Sequence, residues 1–149
     1  MARRAAKAKT VAQQSFLLGR LPITATSEVR AGRLRWEGHF QPTSCSERYL
    51  VRIEYAPPMG PEIVVVSPRI EAPDGGELPH VFPGDRLCLC FPDEWKPQMR
   101  IDTTIVPWIA EWLLQYELFS FTTRWHGGGH RPARPPVNSV GGENASMAA

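Results

Sequence analysis

A chain of 149 residues with 42% hydrophobic and 21% charged content has the size of one ordinary globular domain, long enough to bury a core without staples. Its net charge of +2 is too small to argue for nucleic acid, and most of the excess lies at the ends, in Arg3, Arg4, Lys7 and Lys9 and again in Arg131 and Arg134. Three cysteines, an odd number, with no apolar leader after Met1 and an apolar stretch at Val11 to Leu18 too short and polar for a span, argue against a disulfide framework and a membrane anchor. The expectation is a cytoplasmic protein with reduced thiols.

In chain order, residues 1–9 read as a disordered basic tail, residues 10–136 as one domain and residues 137–149 as a second disordered tail. Thr10 to Leu18 reads as a short helix, capped by Thr10, stopped by Gly19 and followed by Pro22. Arg33 to Phe40 alternates, with Leu34, Trp36 and Phe40 on one face, which predicts a half-buried strand. A second alternation places Tyr49, Val51, Ile53 and Tyr55 opposite Arg48, Arg52 and Glu54. Glu62 to Ser67 is a β-branched run, read as buried on both faces. These strands predict an antiparallel meander of three to four strands.

No periodicity survives from Pro68 to Trp95, and a structureless span of that length signals function. Beyond it, Ile101, Ile105, Trp108, Ile109, Trp112, Leu113 and Tyr116 recur at helical spacing. They predict a core helix starting at Thr103 or Thr104, with Trp108 and Trp112 both buried and Pro107 tolerated in the first turn. The class is α+β, without internal repeats.

Chemistry concentrates in Pro79 to Pro97, where prolines, a glycine, His80, Cys88, Cys90 and Trp95 share one irregular segment. Pro and Gly at this density fix a rigid path, and rigid loops hold reactive groups. The run Leu87-Cys88-Leu89 anchors the backbone and is expected to leave the Cys88 sulfur facing a groove. A lone cysteine is often just a small buried hydrophobe.

Gly84, then Leu87-Cys88-Leu89, then Trp95-Lys96-Pro97 before a helix resembles the loop of ubiquitin-conjugating enzymes. Trp36 on the first predicted strand and Pro61-Glu62-Ile63 before the third fit the same layout, over about Arg33 to Tyr116. Where that family has His-Pro-Asn, this chain has Leu78-Pro79-His80. The departure, together with Glu94-Trp95, Pro107-Trp108, Glu111-Trp112 and Trp125 to Gly129, resembles the bacterial branch found in cyclic-oligonucleotide-based antiphage signalling operons.

The resemblance implies a thioester-forming transferase of bacterial immunity, without cofactor, whose partners are a cyclic-oligonucleotide synthase, a ubiquitin-like modifier or both, and a separate activating enzyme. Cys88 is then the acyl carrier, because a thiolate attacks readily and leaves easily. His80 stands where the family's Asn donates to the oxyanion, or else braces the loop. Auxiliary candidates are Cys90, Asp93, Glu94, His126 and His130. Asp93 and Glu94 either orient an incoming amine or are solvated turn carboxylates. Cys88, Cys90, His126 and His130 also compose a two-Cys, two-His set, although Cys-x-Cys is tighter than usual zinc spacing and three glycines part the histidines. Gly127 to Gly129 would let the backbone approach a partner's extended tail. The alternatives are an inactive module that binds the synthase or modifier, and a zinc-stabilised interaction module.

Overall fold

The computed structural model describes residues 4–89 and 93–127. Its first element is helix α1, Val11–Leu18. Thr10 Oγ1 accepts from the Gln13 amide at 3.1 Å and the Thr10 amide donates to Gln13 Oε1 at 2.9 Å, a reciprocal cap that satisfies two orphan donors of the first turn. The Gly19 amide donates to the Ser15 carbonyl at the other end.

A six-stranded sheet follows, in which every pairing is antiparallel. Its strands are β1 (Ala25–Arg30), β2 (Arg33–Phe40), β3 (Tyr49–Tyr55), β4 (Glu62–Ser67), β5 (Val81–Phe82) and β6 (Arg86–Leu87), in spatial order β1-β2-β3-β4-β6-β5. The predicted meander is its centre. The sheet is larger than the three to four strands expected, for two reasons. All six residues of β1 are exposed, so no alternation marks it. It is joined to β2 by Ala31 and Gly32, both at positive φ, the two-residue turn whose twist matches that of the paired strands. β5 and β6 are two residues each, too short to carry a period.

Alternation in β2 and β3 turns into burial as expected: Leu34, Trp36, Gly38 and Phe40 lie inward, and so do Tyr49, Val51, Ile53 and Tyr55. Gly38 is required by its neighbour. A Cβ there would stand 2.1 Å from the Trp36 ring. β4 is buried on one face only, contrary to the two-sided expectation: Ile63 and Val65 are inward while Val66 is exposed. Leu50 pairs with Ser67 and Val51 with Val65, which leaves Val66 as the extra residue of a bulge.

Helix α2, Ile105–Thr122, completes the core. Ile105, Val106, Ile109, Trp112 and Leu113 join the inward residues of β2, β3 and β4 and Leu18 of α1 in one cluster. Pro107 falls in the first turn, where its missing N–H has no intrahelical partner to lose. The predicted stripe needs two corrections. Ile101 is fully buried but lies in the turns before the helix, and Trp108 is only half-buried. The helix ends where Thr123 turns left-handed and donates its amide to the Phe119 carbonyl.

Gln14 ties the two helices' ends of the molecule together. Fully buried on α1, it donates through Nε2 to the Met99 carbonyl at 2.8 Å and accepts at Oε1 from the Ile101 amide at 3.0 Å. No helix among the described residues is long and apolar enough to cross a membrane.

Candidate active site

His80 and Cys88 are brought together by backbone. The segment between them folds into the small hairpin β5–β6, turned by Gly84 and Asp85 at positive φ. Its closing bond runs from the Cys88 amide to the His80 carbonyl at 2.9 Å. His80 itself is left-handed, with φ of +56°, a conformation that a β-carbon-bearing residue adopts only when its surroundings hold it. Here they do. The Trp112 indole N–H donates to the same carbonyl at 3.2 Å, and the Trp125 ring lies against the imidazole with centroids 4.8 Å apart. Both residues are buried, His80 at 6% and Cys88 at 5% exposure.

That burial corrects one expectation: Cys88 does not face an open groove. Leu87 and Cys88 are both buried and Leu89 is half-buried, so the short apolar run draws the thiol inward with it. Desolvation pushes the Cys88 thiol above its ordinary 9.0, because a low-dielectric surrounding disfavours the thiolate.

Trp95 is half-buried and meets Tyr55 of β3 edge to face, with ring centroids 5.8 Å apart. Lys96 and Met99 close a tight turn, and the Pro97 carbonyl accepts from the Lys9 amide at 2.9 Å. Arg100 grips Asp102 through two nitrogens at 3.0 and 2.6 Å, and Thr104 Oγ1 donates to the Arg100 carbonyl. The approach to α2 is therefore stitched at every second or third residue.

Asp93 and Glu94 are exposed at the start of this stretch. His126 is exposed, with Nε2 3.0 Å from Thr122 Oγ1 at the end of α2. Cys90 and His130 lie outside the described residues, and with them half of the two-Cys, two-His set. Among the described residues no three His, Cys, Asp or Glu side chains are gathered as metal ligands. Cys45 is exposed in the turn before β3.

Sequence reasoning gave Trp112 to the core and gave Trp125 no contact. In the structure the two indoles hold opposite ends of His80, one by its N–H on the carbonyl and one by its face on the ring. They also contact each other, with centroids 5.4 Å apart. An indole's donor is invisible in a pattern of hydrophobic periodicity, which counts tryptophan only as apolar.

A buried cysteine between an antiparallel sheet and a core helix, in a small α+β domain, is what the described residues define. The family described as Type II CBASS E2 protein matches residues 13–132, and the chain belongs to it. It is accordingly a CBASS E2-like protein, with a role in antiphage conjugation. No curated protein matches the chain.

Proposed function

We propose that the chain has the ubiquitin-conjugating-enzyme fold and acts as an acyl carrier through Cys88. The Cys88 thiolate attacks the carbonyl carbon of an activated C-terminal acyl group, forming a new thioester and expelling the donor's thiolate. The proton of the Cys88 thiol goes to solvent before that attack; an amine then attacks the thioester carbonyl, the Cys88 sulfur leaves as thiolate, and the proton the amine sheds restores the thiol. Because acyl energy is conserved in the thioester, the second step needs positioning more than activation. His80 is the candidate donor to the oxyanion of each tetrahedral intermediate. Cys90, Asp93, Glu94, His126 and His130 stand as auxiliary residues. The partners are a cyclic-oligonucleotide synthase, a ubiquitin-like modifier or both, with the activated acyl group supplied by a separate protein in the cytoplasm.

One observation carries this reading: the family match extends across the whole segment that sets Leu87-Cys88-Leu89 between the sheet and α2. A second reading, an inactive module in which Cys88 only packs, is favoured by the 5% exposure of that residue. Co-expression of Cys88→Lys with the neighbouring operon proteins separates them. A stable amide-linked adduct at position 88, absent from Cys88→Ala, supports acyl transfer. A folded Cys88→Lys chain without adduct, alongside a parent chain without a reductant-sensitive one, leaves the inactive module.

A further inference from the structure

The His80 carbonyl is a junction between the thiol loop and helix α2. It accepts from the Cys88 amide at 2.9 Å and from Trp112 Nε1 at 3.2 Å, so both its lone pairs are engaged. The indole is a donor only, and it reaches this carbonyl from a helix position 32 residues away in sequence.

The direction of that donor is set independently of the loop. Trp112 is 4% exposed and stacks on Tyr116, with centroids 5.7 Å apart and planes 10° from parallel. Tyr116 is in turn pinned outside the helix: its hydroxyl accepts from the Glu71 amide at 3.1 Å and lies 3.3 Å from the Glu71 carbonyl. A ring clamped on one face by a second, tethered ring cannot swing its N–H elsewhere without breaking both contacts.

We propose that Trp112 is a positioning residue for Cys88: its indole N–H, by holding the His80 carbonyl, fixes the backbone that carries the thiol against α2. His80 is left-handed, and the two bonds to its carbonyl are part of what maintains that conformation. Removing the indole donor takes away the one of these two bonds that ties the carbonyl to α2. The hairpin turn can then relax toward ordinary dihedrals, and the Cys88 amide moves with it. Group transfer is sensitive to displacements of an ångström or less, so the loss is one of rate and not of binding. Packing alone would be served by phenylalanine; the donor is what phenylalanine lacks. The inference rests on Cys88 being the acyl carrier only for its catalytic consequence, since the structural link is measurable without any partner.

The test uses the full chain carrying Trp112→Phe, which keeps an aromatic ring on Tyr116. The first readout is the pH profile of Cys88 alkylation by iodoacetamide, resolved by peptide mass spectrometry. The expected result is a midpoint shifted down toward the ordinary thiol value of 9.0 as the loop opens, with Cys45 unchanged. The second is adduct discharge to amine, expected roughly tenfold slower at saturating amine with an unchanged KM. An alkylation profile identical to the parent's overturns the proposal. A shifted profile in a chain whose parent never loads an adduct upholds the positioning role and sinks the acyl-carrier reading instead. Should Trp112→Phe fail to fold, the proton NMR shift of the Trp112 indole N–H in the parent decides: a downfield, hydrogen-bonded shift upholds the bond, and the shift of an unbonded indole overturns it.

Discussion

Gln14 is polar, central and fully buried, and its replacement by alanine tests how α1 is held. Its amide makes two bonds, to the Met99 carbonyl and from the Ile101 amide, across a sequence gap of more than eighty residues. Alanine leaves the Ile101 N–H buried without that partner, at about 1–3 kcal/mol, while the Met99 carbonyl, closer to solvent, adds roughly 1 kcal/mol. Gln14→Ala should therefore cost about 2–4 kcal/mol. For a chain of this length that is a fall in Tm of roughly 5–15 °C. The measurement is urea denaturation at unchanged m, where a shift of midpoint alone reports stability. Gln14→Met separates the causes, because it fills the slot without making either bond, and should still lose about 2 kcal/mol. Parental stability in Gln14→Met would mean that the site asks only for volume. A loss below about 1 kcal/mol in Gln14→Ala would mean that water replaces the amide, and the argument from stranded groups fails.

Gly38→Ala should cost about 1–3 kcal/mol, since the new methyl would meet the buried Trp36 ring; a neutral substitution would place that ring elsewhere. Trp112→Ala should cost about 3–5 kcal/mol and Trp108→Ala only about 1–2 kcal/mol, in line with their burial; equal losses by denaturant titration would contradict the placement of the stripe. Burial raises the Cys88 pKa, so the folded chain holds that proton more tightly than the unfolded one. The resulting stability is fully present below pH 9.0, the ordinary thiol value, and is lost as pH rises through the folded value. Cys88→Ala should flatten that alkaline decline relative to the parent, and an unchanged pH slope would mean that the thiol is solvated.

What could be read from the chain was whatever had water on one side. β2 and β3 present one face to the core and one to solvent, so their alternation is written directly in Leu34 to Phe40 and Tyr49 to Tyr55. α1 was legible because its cap is local, built from Thr10 and Gln13 three residues apart. β1 was not, because a strand with no buried residue carries no hydrophobic signal. The apolar stripe of α2 was legible as far as Tyr116, but its spacing also admitted Ile101, which is buried by the preceding turns. At the site, the loop announced itself through its prolines and cysteines, while the indole contacts did not. Trp112 meets His80, and Trp125 meets it from the other side, through a path that only the folded chain defines.

The two borders of the sheet are closed to strangers in different ways. β1, on one border, is exposed along its whole length, yet it carries Glu28 and Arg30, and a neighbouring chain laid beside it would have to match or bury those charges. β5, on the other border, is two residues long and offers too few amides to recruit a strand. A sheet of six strands is thus protected from edge-to-edge growth by charge at one limit and by brevity at the other. The same brevity leaves the hairpin between His80 and Cys88 little edge of its own for a partner strand to pair with.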